Sequence, residues 1–461
     1  MSYPSHNIYL LVVYFFLLSD INGRNNIVLT NCNIISCADK KLKKNMSIII
    51  DGNKISKIQK GEYKGQTDNY EIIDLNGGYV MPGLWNVHMH LTALLPDPNR
   101  VQDNESVASA TIRAGLNAMD GIRHGFTSIR SVGERDYIDV AWRDIFAQNY
   151  FMGPRIFASG EAVTVTGGHR GDVEYGADGV SEIRKAIRER IQNGVDWIKI
   201  VDVEMLPDEL NSAIETTHSL GRKITSHSRE PATYRSVLAG VDCIEHGYGL
   251  TEKTIKLMAK KGTYYSPTII CNLSEQYIKE RESRLAALGF SQDEQVVNGR
   301  VMVAYADERS EEHARHQRNA LKKAVDAGVK VVIGSDSTPI GEIGILEIEQ
   351  FVLSGVSEID ALIAATRNPA EMCGVLDKLG TVEENKLADL LVLKDNPLEN
   401  ISNIRKTLMV IKDGFIVDLD YPNAPSNYWD YYGKKKYREG YLKDAENEAG
   451  FKRGLVAPTV N

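Results

Sequence analysis

Tyr79-Val80-Met81-Pro82-Gly83-Leu84-Trp85-Asn86-Val87-His88-Met89-His90 is the stretch on which the reading of this chain turns. A mostly apolar run, residues 79–87, ends in His-Met-His. Side chains two apart on a strand project to the same side. His88 and His90 can therefore present two imidazoles to one point, and neutral imidazole is a common ligand of zinc and related ions. A His-x-His pair taken alone reads first as two hydrogen-bonded or solvated histidines at a strand end. The decision rests on what the other strands deliver.

Downstream, apolar runs recur as FTSIRSV (126–132), RIFASG (155–160), DWIKIV (196–201), KITSH (223–227), VDCIEH (241–246), TYYSPTII (263–270) and VKVVIGSD (329–336). Stretches with helical spacing lie between them, for example at residues 106–124, 181–193, 207–220, 231–239 and 252–261. Eight β–α units in succession point to an α/β protein with a closed parallel (β/α)8, TIM-like barrel over residues 79–379. The charged spacer 275–326 is expected to add a helical pair on the top rim of that barrel. Upstream, residues 27–75 read as short strands with a turn at Asp51-Gly52-Asn53. Helices are expected at 346–353 and 357–365. Strands then return at Gly380-Thr381-Val382, ADLLVLK (388–394) and TLMVIKDGFIV (407–417). The two β segments should complete each other, giving a small β-sandwich domain from residues 24–78 and 380–420 with the barrel inserted.

The 461 residues suffice for one large and one small domain, and 25% charged with 43% hydrophobic residues is ordinary for a globular protein. A net charge of -8 argues against a general nucleic-acid binder, which needs a basic face. The five cysteines are scattered without a Cys-x-x-Cys and read as structural thiols; Cys32 and Cys37 are near enough to pair, but nothing requires it. Residues 8–18, IYLLVVYFFLL, lie in an apolar segment 1–23 and suit the core of a signal peptide. No Lys or Arg precedes them and no clear small-x-small site follows, so export and a packed extension of a cytoplasmic protein stay equally open. No stretch is long and apolar enough for a stable membrane span. Four Asn-x-Ser sequons, at Asn45, Asn104, Asn272 and Asn400, matter only on a eukaryotic secretory route. The Tyr-rich, charged tail 421–461 reads as a wrap-around extension, with a partner-binding role as the alternative, and a homo-oligomer is left open.

In a parallel barrel the chemistry sits at the carboxyl ends of the strands. The first run ends in His88 and His90, and the third is followed by Thr166-Gly167-Gly168-His169. The fourth carries Lys199, the fifth His227, the sixth Glu245-His246-Gly247 and the eighth Gly334-Ser335-Asp336. Two histidines, a lysine, two more histidines and an aspartate at one end of a barrel are hard to explain as packing. They read jointly as a metal site.

These residues resemble the amidohydrolase superfamily, in the branch of imidazolonepropionase-like hydrolases and Xaa-Pro dipeptidases. The resemblance is carried by Pro82-Gly83-Leu84 with His88-Met89-His90, Gly153-Pro154-Arg155 with Gly167-Gly168-His169, Asp196-Trp197-Ile198-Lys199, Ser226-His227 and Ile244-Glu245-His246-Gly247. Gly334-Ser335-Asp336-Ser337, Ala365-Thr366-Arg367-Asn368-Pro369-Ala370 and Lys386-Leu387-Ala388-Asp389-Leu390 complete it, so that it spans residues 27 to 418. It implies two divalent metal ions, zinc foremost, with manganese, cobalt or iron compatible with the same ligands. His88, His90 and Asp336 would hold one ion, His227 and His246 the other, and an N-carboxylated Lys199 would bridge them. An ammonium has no lone pair to offer a cation, and carboxylation supplies two oxygens; a lysine salt-bridged inside the barrel is the alternative.

The implied reaction is hydrolysis of an amide C–N bond in a small-molecule amide or peptide, such as a dipeptide or N-acyl amino acid. Attack is by a metal-bridging hydroxide, with Asp336 as general base and then acid. The resemblance gives His169 a place against the substrate or the tetrahedral oxygen. Arg229 stands where some relatives have Tyr or Gly, and either binds a substrate carboxylate or forms a rim salt bridge. Strand two reads Arg130-Ser131 where many relatives have Arg-Asp, and no Gly-Gly loop follows Lys199. A mononuclear deaminase or cyclic amide hydrolase with Glu230 as proton shuttle is the alternative enzyme. A non-catalytic amidohydrolase-like scaffold is the alternative of another class.

Overall fold

The computed structural model describes residues 26–65, 68–92, 106–169, 176–272, 311–336 and 340–419. The apolar N-terminal segment, the tail, sequon Asn104 and most of the expected rim insertion lie outside the described residues. Strands run in chain order as β1 (Asn26–Ile35), β2 (Leu42–Asp51), β3 (Lys54–Lys60), β4 (Tyr70–Asp74), β5 (Tyr79–Pro82), β6 (Leu84–Met89), β7 (Phe126–Ser131) and β8 (Arg155–Phe157). They continue as β9 (Trp197–Val201), β10 (Lys223–Arg229), β11 (Cys243–Tyr248), β12 (Tyr264–Ser266), β13 (Leu390–Leu393), β14 (Thr407–Lys412) and β15 (Phe415–Ile416).

Eight of these strands form one sheet in the order β15-β14-β13-β5-β1-β2-β3, with β4 also paired to β1. Both ends of the described chain feed it: Val80 in β5 stands opposite Val392 in β13. The isoleucines of β2 pair with β1 at Ile27↔Ile50, Val28↔Ile49 and Leu29↔Ile48, a pleated setting buried on both faces that β-branched residues fill well. Asp51 faces Lys54 across a two-residue turn at Gly52 and Asn53, where Gly52 takes φ 60. Ile27, Ile34, Ile48, Ile50, Val80 and Leu390 build an apolar core for this sheet, separate from the larger one.

The remaining strands are parallel, in a three-stranded sheet β6-β7-β8 and a four-stranded sheet β12-β11-β10-β9. β6, β7 and β9 are buried along their whole length, as expected of parallel strands covered on both faces. Backbone contacts join the two sheets on both sides. Asp196 and Trp197 donate to Ala158 O, and Val163 bridges Ile200. On the other side Val331 bridges Tyr265, and Val87 N donates to Ile333 O at 2.8 Å. The connecting helices are α1 (Val107–Arg123), α2 (Ile138–Ala147), α3 (Gly179–Gln192), α4 (Pro207–Ser219), α5 (Ala232–Ala239), α6 (Glu252–Lys261) and α7 (Glu311–Asp326). After them come α8 (Ile340–Leu353), α9 (Glu358–Ala364) and α10 (Arg367–Met372). None of the described helices is long and apolar enough to cross a membrane.

Several boundaries depart from the periodicity. The run 263–270 is strand only over β12 and then turns into a 3-10 segment, Ile269–Asn272. In 329–336 only Val331 bridges a strand, because the backbone bends so that Asp336 reaches φ 53 and its N–H meets His88 O at 2.8 Å. Residues 380–382 form no strand; Val382 N makes a single bond to Ser36 O. Cys32 and Cys37 are separate buried thiols, both pushed up to about 12 by burial.

Candidate metal centre

The site is assembled at the carboxyl ends of β6, β9, β10 and β11 and at residue 336. His88 and His90 leave β6 on the same side, as the strand period requires. Their outer ring nitrogens are spoken for. His88 Nδ1 donates to Glu245 Oε2 at 2.8 Å, and His90 Nδ1 donates to Gly133 O at 2.9 Å. The Nε2 atoms turn inward, 3.3 Å and 3.1 Å from Asp336 Oδ1. One donor atom from each of His88, His90 and Asp336 lies within 4.8 Å of the others, a cluster a single cation can join. Burial alone would raise the Asp336 carboxyl, but His88 and His90 hold it well below the usual carboxylate range.

Three more imidazoles extend this cluster. Ring centroids are 4.8 Å apart for His88 and His246, 4.4 Å for His246 and His227, and 4.6 Å for His227 and His169. His246 Nε2 lies 4.0 Å from Asp336 Oδ2, so the two carboxylate oxygens face different histidines. Burial holds His227 down at about 2 and His246 well below its ordinary value, with the Lys199 charge adding to both. Both rings are thus neutral near pH 7, as ligands must be. Lys199, 4% exposed in β9, stands opposite Thr225 of β10 and within electrostatic reach of both histidines.

Three groups mark the rim. His169 is exposed and stacks on His227. Arg229 is exposed at the end of β10, opposite Tyr248, whose ring lies parallel to His246 at 5.1 Å. Glu230 is drawn elsewhere: its Oε1 accepts from the Thr254 hydroxyl and from Thr251 Oγ1 at 3.3 Å, at the start of α6. Of the eight residues expected at the site, the five histidines and Asp336 form one connected cluster, Lys199 lies within electrostatic reach of it, and Arg229 is exposed at the end of β10.

Sequence reasoning missed the groups that orient the candidate ligands. Glu245 is fully buried and receives Arg130 and the Thr225 hydroxyl besides His88. Burial would raise its carboxyl, but Arg130 and then His88 hold it below the ordinary range. Arg130 in turn donates to Val87 O at 2.8 Å and lies 4.5 Å from the Trp197 ring centre. A signal was present: an arginine inside the apolar run 126–132 demands a buried acceptor. Asn86 ties two ligand segments together, donating to Ser335 Oγ at 2.7 Å. His246 and Asp336 both adopt positive φ, 65 and 53, and such backbone strain gathers at functional sites.

The sequence profile of the amidohydrolase family matches residues 79–417. The chain belongs to the amidohydrolase family. It is a hydrolase acting on carbon–nitrogen bonds. This amidohydrolase is 27% identical over 377 residues to an ochratoxinase of Aspergillus niger, an alignment covering 70% of the chain and 71% of that relative. A crystal structure of a Xaa-Pro dipeptidase with bound methionine superposes with a TM-score of 0.73 at 27% identity, covering 85% of this chain and 100% of that one. A prolidase complexed with N-methylphosphonate-L-proline superposes with a TM-score of 0.71 at 26% identity, covering 85% and 99%.

Proposed function

We propose that this amidohydrolase is a two-metal hydrolase of amides that carry a free carboxylate, a dipeptide or an N-acyl amino acid. In this reading the parallel strands are staves of one (β/α)8 barrel over residues 79–379, and the eight-stranded sheet belongs to a β-sandwich domain built from residues 24–78 and 380–420. The backbone contacts that link the parallel sheets on both sides support the barrel. So does the apolar cluster that brings Trp85, Val87, Trp197, Cys243 and Val332 together from different strands.

The donor set fits divalent cations. Imidazole Nε2 atoms and a carboxylate converge, and each of His88, His90 and His246 has its Nδ1 engaged by a group that leaves Nε2 available. His88, His90 and Asp336 would hold one ion and His227 and His246 the second. Lys199 would bridge them after its amine adds to CO2, forming an N–C bond and losing a proton. Bound there, two cations supply a polarised carbonyl and a water acidic enough to attack near neutral pH.

The chain's own groups do the rest. Asp336 takes the proton of the attacking water on its carboxylate and returns it to the leaving nitrogen. His169 at the rim donates to the carbonyl oxygen as charge develops there. Arg229 receives the substrate carboxylate through its guanidinium fork. The names of the relatives, a dipeptidase, a prolidase and an ochratoxinase, support an amide substrate of this kind. The convergence of His88, His90 and Asp336 carries the reading.

The test is metal content per chain with intact mass, followed by a panel of dipeptides and N-acyl amino acids. Two ions, a mass gain of one CO2 on Lys199 and turnover that vanishes in Asp336→Ala are expected. Full turnover in purified Asp336→Ala overturns the proposal.

A further inference from the structure

His246 is held by residues of β12, of the segment that follows it, and of α7 and α8, none of which carries a candidate ligand. Its backbone sits at φ 65 and is followed by Gly247 at φ 60, so β11 bulges there before Tyr248 pairs with Arg229. A Cβ on Gly247 would stand 3.0 Å from the Tyr265 ring, which leaves little room for a side chain. The His246 carbonyl accepts from Tyr265 Oη at 3.0 Å and from Gln317 Nε2 at 3.2 Å. Gln317, buried on α7, also donates to Pro267 O at 2.8 Å, so one amide joins the ends of two strands.

The ring is fixed as firmly. Thr268 Oγ1 lies 2.6 Å from His246 Nδ1 and 2.8 Å from Pro267 O. A hydroxyl has one proton, and a carbonyl can only accept. The Thr268 proton therefore goes to Pro267 O, and the hydroxyl oxygen accepts from His246 Nδ1–H. That assigns the tautomer and leaves the Nε2 lone pair pointing toward the site. Thr268 is itself held at φ 47, with its following N–H groups captured: Ile269 N and Ile270 N donate to the two oxygens of Glu347 at 2.9 and 2.8 Å. Glu347 is fully buried on α8.

We infer that Thr268, Gln317 and Glu347 are positioning residues for His246 alone, so that they govern the ion held by His227 and His246 and not the ion held by His88, His90 and Asp336. The inference rests on the two-ion reading above. His88 and His90 are aimed by other groups, Glu245 and Gly133 O, on β11 and on the turn after β7. The contacts that aim the two halves are thus made by different residues, although Glu245 adjoins His246 on β11. Groups of this kind, one bond removed from a metal ligand, typically change metal affinity about 10–100-fold when removed.

The experiment is equilibrium dialysis of metal-stripped full-length protein against zinc, with metal per chain read by elemental analysis. Wild type is compared with Thr268→Val, Thr268→Ser and Gln317→Met. Thr268→Val keeps the shape and loses the acceptor; it is expected to bind one ion as wild type does and the other about 10–100-fold more weakly. Thr268→Ser restores both. Gln317→Met, on a different element, shows the same one-sided loss and keeps the test decisive if the valine variant does not fold. Two ions bound with wild-type affinity in both Thr268→Val and Gln317→Met, or an equal loss of both ions, overturns the inference. Wild-type protein that takes up a single ion overturns the two-ion reading, and the inference falls with it.

Discussion

Glu245 Oε2 accepts from His88 Nδ1 at 2.8 Å while its other oxygen receives Arg130 from strand β7. One carboxylate thus couples a candidate metal ligand on β6 to a buried arginine on β7 from β11, a strand of the other parallel sheet. The bond sets the His88 tautomer, and the arginine keeps the carboxylate ionised so that it can go on accepting.

Arg130→Met should cost about 3–5 kcal/mol, because it strands the Glu245 charge in a fully buried place. Arg130→Met combined with Glu245→Leu should recover much of that loss, since removing both charges removes the penalty. Urea unfolding of the two variants and wild type measures it. The double variant should also bind metal more weakly than wild type, because His88 loses Glu245 as its orienting partner.

The candidate ligands are legible because each is a distinctive residue at the end of an apolar run. His88, His90, Lys199, His227, His246 and Asp336 could be picked out from that pattern, and the strand alternation ordered them around one end. The supports were not legible, because their contacts are long-range and many use backbone groups. Glu134 holds Leu91 N and Thr92 N, and Glu347 holds Ile269 N and Ile270 N, pairings that no local pattern announces. The β–α alternation calls for a helix where α2 lies but sets no limits for it, and the starts of β4 and α8 are not placed. Glu252–Lys261, bounded by Thr251 as a cap and Gly262 in the left-handed region, fell where its signals put it.

Gly334 is a second point of sensitivity. A Cβ there would stand 2.3 Å from Ser266 Oγ and 2.6 Å from His88 Cβ. Gly334→Ala must push either β12 or the first ligand strand aside, at about 1–3 kcal/mol. The expected result is a lowered melting temperature together with weaker zinc binding. A melting temperature and zinc affinity equal to wild type would show that the segment 331–336 can move without disturbing His88.

Glu347 gives a pH dependence with a definite sign. Burial raises its carboxyl to about 8, against about 4.3 for an exposed glutamate in the unfolded chain. Between those values the native state binds the extra proton, so stability falls as pH rises. The contribution is fully present below about pH 4.3 and is lost by the time pH passes about 8. Urea unfolding at pH 5 and pH 9 should show wild type losing more than about 1 kcal/mol relative to Glu347→Gln, which cannot titrate. Parallel pH profiles for the two proteins would contradict the raised carboxyl.

Glu230 separates the two enzymatic readings. In a mononuclear deaminase or cyclic amide hydrolase it would shuttle the proton, and Glu230→Gln would then lose about 10²–10⁴-fold in turnover. Its carboxylate, however, accepts from Thr251 Oγ1 at 3.3 Å and from the Thr254 hydroxyl, at the positive end of α6. A charge held there stabilises the helix start by about 0.3–1 kcal/mol. Glu230→Gln is therefore expected to melt slightly lower and to hydrolyse a dipeptide or N-acyl amino acid within a few-fold of wild type. Asp336→Asn, whose carboxylate oxygens face His88, His90 and His246, should lose turnover by about 10² or more. Measuring both variants on one substrate ranks the two carboxylates directly. A collapse in Glu230→Gln with turnover surviving in Asp336→Asn would move the proton transfer to the rim and reverse the mechanism proposed here.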